Sequence, residues 1–452
     1  MNLLLNATPA TESLGDILPL GAILPFVVML LAIAILPLAT PGWYGPLRNK
    51  AIVAAAIGVP VVAYVIAVGG STALEKVIAT GEEYISFIIY LATLFTISGG
   101  IYISGDAAGS PRNNTIVLAI GSVLANFIGT TGAAMLLIRP LLRANHRRTN
   151  RKHVFIFLIF IVCNTGGLLT PLGDPPLFLG FLRGIDFTWT LRLWPAWLMV
   201  QAILLVSFFL VDSFYFRKEP PAEQKLEETI REPIRVKGII NIAFLVGVIA
   251  TTMISGAFGV DKGGPIEWWM RDAVYVLLLL GSLYIGPKEP RALNRFQWTP
   301  MGEVAIVFAG IFASMIPALA ILAARGDEFG VNQPWQFYWL SGGLSSFLDN
   351  APTYLVFTSL AQGLLGLTNF PDLMSEVVNP AVGFAPAAFL AAVSVGSVFM
   401  GANSYIGNAP NFMVRSIAEE EEVPMPNFFA YMGWALVFLI PTFILVTFVF
   451  FL

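Results

Sequence analysis

The chain has 452 residues, of which 57% are hydrophobic and 12% charged, with a net charge of -3. Soluble domains carry roughly 25% charged residues, because a folded chain needs a polar outer layer, so this composition excludes a soluble enzyme or binding module and points to a polytopic membrane protein. The lack of a basic domain excludes nucleic acid as a partner. The single cysteine, Cys163, excludes a disulfide framework, and the only histidines, His146 and His153, both beside one basic loop, argue against a histidine-dependent metalloprotease or hydrolase.

Residues 1–17 contain no Lys or Arg, so the start is not an ordinary signal peptide. The first apolar run, 18–40, is long enough to cross a bilayer, which takes about 20 residues. Further crossings are expected near 51–69, 83–104, 153–182, 193–215, 237–256, 271–287, 302–324, 385–415 and 427–451. Two other apolar stretches, 115–142 and 335–364, are broken in the middle by Gly129-Thr130-Thr131-Gly132 and Asp349-Asn350-Ala351-Pro352. Each half is only about 12 residues, too short to span, so re-entrant hairpins with protein-sheltered tips are expected. With the N-terminus outside and the hairpins non-crossing, 18 of the 25 Lys and Arg residues fall inside and 6 outside, with Arg139 inside the first hairpin. That is the positive-inside bias, and it places both termini on the periplasmic side of a cell inner membrane.

The element order repeats. Three crossings, a hairpin, an interrupted crossing and a final crossing make residues 1–215, and the same series makes residues 237–452. The charged stretch 216–236 is a cytoplasmic linker. Five crossings per half is an odd number, so the halves must be inverted. The expected fold is an all-α polytopic membrane protein of two inverted repeats, each with five crossings (one interrupted) and one re-entrant hairpin. Phe127–Gly132 aligns with Phe347–Pro352, and Leu169–Phe178 aligns without gaps with Asn403–Phe412. In the second pair Gly173/Gly407, Pro176/Pro410 and Phe178/Phe412 are identical, while Thr170/Ser404 and Asp174/Asn408 are chemically close. Inverted repeats with broken helices mark secondary transporters, whose site lies between the breaks. No phosphate-loop sequence is present, so no internal ATP motor is expected.

The candidate ion-binding residues sit at the breaks. Asp349 and Asp174 are the acids there, joined by Asn350, Asn164, Thr165, Thr130, Thr131, Asn403, Ser404 and Asn408. These oxygen-rich side chains suit a hard cation such as Na⁺, with Asp349, Asp174, Asn164 and Asn350 as its candidate ligands. A carboxylate there can hold a proton or the metal ion, which is sufficient for exchange. The competing reading is structural. Asp174 precedes Pro175-Pro176 and Asp349 precedes Asn350-Ala351-Pro352, the ordinary start of a helix, so each acid could only cap the second arm. Asp212 and Glu303 lie near span ends and read as interfacial. Arg139 reads as snorkelling toward the cytoplasmic surface, with contact to an anionic substrate as the alternative. An aspartyl enzyme using Asp106 and Asp174 is a remote alternative, because it leaves the repeat unexplained.

The segments CNTGGLLTPLGDPPLFLGFLRG (163–184), FIGTTGAAMLLIRPLLRAN (127–145) and SSFLDNAPTYLVF (345–357) resemble the ion transporter superfamily, and within it the bacterial NhaD-type sodium/proton antiporters and the related citrate transporters. The resemblance implies a homodimeric, elevator-like carrier with hairpin tips and broken helices lining its site. It carries an Asn-Thr motif onto Asn164 and Thr165 and an Asp-Asn motif onto Asp349 and Asn350. The expected activity is Na⁺(Li⁺)/H⁺ antiport with no cofactor beyond the transported ions. The alternative is a citrate-like carboxylate or metal-citrate symporter driven by Na⁺ or H⁺. Membrane lipid and a small inorganic cation, or a carboxylate, are the expected partners.

Overall fold

The computed structural model describes residues 13–105, 109–220 and 235–452. Asp106, residues 1–12 of the first repeat and residues 221–234 of the linker lie outside the described residues. Without water, a backbone must satisfy its own hydrogen bonds, and apolar runs do so as helix. Among the described residues, eight helices are long and apolar enough to cross a membrane by length and composition. The molecule is an all-α polytopic membrane protein; the one sheet among the described residues pairs Tyr102–Ser104 with Arg235–Lys237, antiparallel.

Most of the expected crossings have a helical counterpart within a few residues. The first is covered by Leu20–Pro37. Trp194–Phe216, Ile240–Phe258, Trp268–Tyr284, Thr299–Arg325 and Phe428–Val446 are continuous helices. The second and third differ. They form one helical run, Leu47–Gly99, turned at Gly70 with φ 59° and ψ -134°. Helix therefore resumes at residue 71, ahead of the third expected crossing. A glycine in that backbone region turns the chain without spending a loop, and Ala73-Leu74-Glu75-Lys76 just after it are good helix formers.

Both broken stretches fold back on themselves. The first, Pro111–Ala144, is interrupted only at Gly129, with φ 75° and ψ 155°. Its arms run side by side: Asn114 and Asn145 exchange amide hydrogen bonds of 2.9 and 3.0 Å, and Gly121 faces Leu137. The second is Pro334–Ser345 followed by Asn350–Leu365, with Phe337 edge-on to Phe357 across it. Residues 121–130 and 341–350 have the same sequence of buried, half-buried and exposed positions, one for one.

The interrupted crossings also match. Lys152–Ile161 leads through a 3-10 turn, Thr165–Leu168, to Pro175–Leu182. Pro386–Met400 leads through Gly401–Asn403 to Ala409–Glu420. A Cβ on Gly173 would meet the Gly167 carbonyl oxygen at 2.1 Å, and one on Gly407 would meet the Gly401 oxygen at 2.5 Å. Each break is thus closed by the same backbone contact between glycines six residues apart. His153 through Cys163 are at most 1% exposed, so this arm is wrapped on every side by protein, as its all-round apolar sequence requires.

Asp212, near its span end, is not at the protein surface. It is fully buried and accepts hydrogen bonds from Arg148 Nη2 (2.5 Å), His153 Nε2 (2.8 Å) and Asn114 Nδ2 (2.9 Å). An acid near a span end takes up partners from the adjoining basic loop when that loop folds under it. Glu303, by contrast, is part-exposed and pairs with Lys50 at 2.8 Å. Removing one member of a buried charge cluster strands the others, so Asp212→Ala is expected to destabilise the fold by about 3–5 kcal/mol. A thermal melt in detergent checks this, and an unchanged midpoint would contradict it.

Candidate functional site

The site is built where the four chain breaks converge. Asp174 is the N-terminal flank of Pro175–Leu182, yet its side chain makes no capping bond. Its carboxylate points across the molecule instead. Oδ1 accepts from Thr130 Oγ1 at 2.8 Å and from Asn408 Nδ2 at 3.0 Å, while Oδ2 accepts from Asn350 Nδ2. Its donors thus come from both hairpin tips and from the other interrupted crossing. The backbone N–H of Thr130 also donates to Gly173 O at 2.8 Å, which fixes the first tip against the first break. Asp174 is 2% exposed and Asn350 fully buried. The capping reading therefore fails for Asp174.

It holds for Asp349. That carboxylate accepts from Ala351 N at 3.1 Å, as an N-cap does, and it also lines a cavity of about 120 Å³ beside Asp174. Thr130, Thr131, Gly173, Pro175, Asn408 and Ala409 line the same cavity. The helix N-termini at Pro175 and Ala409 thus open onto it. Its lining contains no Lys, Arg or His side chain, so its formal charge is carried by carboxylate alone.

Asn164 lies just outside this constellation. Its Nδ2 donates to Ile159 O at 2.8 Å and to Asn411 Oδ1 at 2.7 Å. The neighbouring Cys163 carbonyl, freed by the break, accepts from Asn408 Nδ2 at 3.0 Å. The side-chain oxygens of Asn164, Asn350 and Asn403 are buried without a hydrogen-bond partner. Buried acceptors of that kind are the groups a cation would use. Among the described residues there is no cluster of three or more His, Cys, Asp or Glu side chains that could hold a metal ion.

Three further candidates are not brought to the carboxylates. Thr165 donates to Phe160 O at 2.8 Å and accepts from Gln201 Nε2 at 2.9 Å, so it closes the end of the broken helix. Asn403 and Ser404 tie down the second hairpin: Asn403 Nδ2 donates to Ser346 Oγ at 2.9 Å and Ser404 Oγ to Ser346 O at 2.5 Å. The aligned residue in the first half makes the corresponding bond, Thr170 Oγ1 donating to Asn126 O. Arg139 bonds Asn294 O at 3.3 Å and does not line the cavity.

Sequence reasoning missed the wall facing the breaks. Tyr90 donates to Leu172 O at 2.9 Å and stacks on Phe178 with ring centroids 3.6 Å apart. Leu94, Phe95, Met301 and Phe308 complete that side. These residues sit in uninterrupted apolar spans and carry no local signal.

Over residues 15–451 the sequence matches the protein family described as "Putative citrate transport". The chain belongs to that family. No curated protein matches the chain. Family and fold together make this a multi-pass membrane protein of a transporter family, in agreement with the citrate-transporter side of the sequence resemblance.

Proposed function

We propose that the protein is a secondary transporter that exchanges Na⁺ or Li⁺ for H⁺ at the Asp174–Asp349 site. One observation carries this reading: where four chain breaks meet, Asp349 lines a small cavity free of cationic side chains, and the buried Asp174 carboxylate lies beside it, between lining residues Gly173 and Pro175. A cation entering beside Asp174 is met by carboxylate and by amide oxygens. Asn350, whose Oδ1 has no partner, needs only a half-turn of its amide to change from donor to ligand. Protonation of the carboxylates removes the charge that holds the ion, so proton and cation compete for the same oxygens.

The matching burial of the two hairpins, the paired glycine contacts and the equivalent Thr170–Asn126 and Ser404–Ser346 bonds support a two-fold relation between the halves. Asp174 and Asn408, aligned in sequence, are bonded to each other across that relation. In our reading the halves are inverted, and the hairpins with the broken crossings move as one body, carrying the site across the inner membrane. The working unit in this reading is a homodimer with its termini outside.

A second reading, favoured by the family description, is uptake of a citrate-like carboxylate. The helix N-termini at Pro175 and Ala409 and the donors of Thr130 and Asn408 would hold it. With no Lys or Arg at the cavity, such an anion would travel with a cation.

Proteoliposomes separate the two. A Na⁺ jump producing a change in internal pH, without labelled-citrate uptake, is the expected result. In the same assay Asp349→Asn abolishes the pH change, because Asn still caps the helix but carries no negative charge and takes up no proton. Citrate uptake with no Na⁺-induced pH change would replace the first reading by the second, and full flux in Asp349→Asn would remove that acid from the cycle.

A further inference from the structure

Away from the transport site, the last crossings of the two halves, Trp194–Phe216 and Phe428–Val446, lie side by side and leave a groove between them. It is a cavity of about 600 Å³ lined by Leu210, Phe214, Gly433, Trp434 and Val437. Leu210, Phe214 and Val437 are more than half exposed, so the groove is open to the surroundings. It is concave because Gly433 contributes no side chain: a Cβ placed there would meet nothing within 4 Å. At one end, sharing Leu210 and Phe214, it runs into a second cavity of about 320 Å³ lined by Arg217 and Lys218.

That basic end sits at the close of Trp194–Phe216, where the chain leaves the membrane. Among the described residues neither Arg217 nor Lys218 makes an ion pair. The adjacent acid does not neutralise them, since Glu219 is buried and accepts the backbone N–H groups of Thr149 and Asn150. Lys218 Nζ instead lies 3.9 Å from the Phe214 ring centroid, at the junction of the two cavities. An apolar slot in the hydrocarbon layer, ending at headgroup level in two cations that make no ion pair among the described residues, matches one kind of molecule in both of its parts.

We propose that this groove binds an anionic phospholipid, with an acyl chain between Leu210, Phe214, Trp434 and Val437 and the phosphate on Arg217 and Lys218. The occupant is distinguished from bulk zwitterionic lipid by its net charge, and from a second copy of this chain by the basic end. The charge bias of the loops puts that end in the cytoplasmic leaflet, where anionic lipids give basic residues their attraction.

The test uses the full chain in nanodiscs and reads quenching of Trp434 by brominated acyl chains, taking the component lost in Trp434→Phe. Brominated phosphatidylglycerol is expected to quench Trp434 at a lower mole fraction than brominated phosphatidylcholine. Arg217→Gln with Lys218→Gln is expected to weaken the phosphatidylglycerol response about tenfold or more, at about 1 kcal/mol for each basic residue near the headgroups. Gly433→Leu, which has room for its side chain, is expected to fill the slot and reduce quenching by both lipids. Equal quenching by the two lipids in the natural sequence would overturn the proposal, as would a preference unchanged in the double glutamine variant. Trp434 shielded from both lipids by a second copy of the chain would overturn it as well. None of these readouts depends on which ion is transported.

Discussion

Asp174→Asn leaves a folded protein that has lost most of its transport. The carboxylate has two oxygens and three donors: Thr130 and Asn408 share Oδ1, and Asn350 serves Oδ2. An asparagine at this position can keep its oxygen toward the first pair. Its new amide N–H group then faces Asn350, whose own Oδ1 is buried and without a partner. A half-turn of the Asn350 amide presents that oxygen and restores a hydrogen bond. The fold therefore loses only about 1 kcal/mol, the net scale of one exchanged hydrogen bond.

Transport has no such repair. The substitution removes the more deeply buried of the two carboxylates at the site. Truncating one side of a buried charge interaction costs about 2–5 kcal/mol, and 1.4 kcal/mol is tenfold, so flux at subsaturating ion falls about 30-fold or more. Asp174→Ala should behave differently, because it strands three donors and lowers stability as well as flux. The measurement is ion-coupled flux in proteoliposomes beside a thermal melt of the same preparation. Flux near that of the natural sequence in Asp174→Asn would show that the carboxylate does not handle the ion.

The second large effect is on folding. Gly173→Ala is expected to prevent accumulation of folded protein, although it adds one methyl group. A Cβ at this position would lie 2.1 Å from the Gly167 oxygen and 2.7 Å from the Gly167 carbonyl carbon. Those atoms are backbone, in a 3-10 turn that is fully buried, so no side chain can rotate away. Opening the turn would also pull Gly173 O from the Thr130 N–H and shift Asp174, the next residue. Overpacking typically costs about 1–3 kcal/mol where side chains can yield, and this site lies at or above the top of that range. Gly343→Ala is the control: a Cβ there meets nothing within 4 Å, and the expected change is within about 0.5 kcal/mol. Size-exclusion profiles of fluorescent fusions and melting midpoints report both. Equal midpoints for the two variants would mean that the Gly167–Gly173 contact yields easily.

By itself the sequence determined what hydropathy and local backbone chemistry control. Apolar runs of membrane length become helices because their peptide groups have no other partner in lipid. The hairpin tips and interrupted crossings were legible because Gly, Pro, Asp and Asn break an apolar run visibly, and the same pattern exposed Asp174 and Asn350 as polar groups set in hydrocarbon. Even the turn at Gly70 had its glycine, although not the fact that helix resumes at once.

Tertiary structure decided which of those polar groups meet. Asp174 and Asp349 precede helix starts in the same way, yet one caps its own helix and the other bonds three residues distant in sequence, since capping competes with donors only folding brings near. Asn403 and Ser404, aligned with the first break, serve the hairpin and not the cavity, for the same reason. Asp212, at a span end, was drawn into a buried cluster by a loop whose path no hydropathy window records. Tyr90 and Phe308 became the wall of the site from featureless apolar helices. A window of sequence reports the local cost of removing a residue from water. Which partner repays that cost is a question of distance between segments, and only the packed chain sets it.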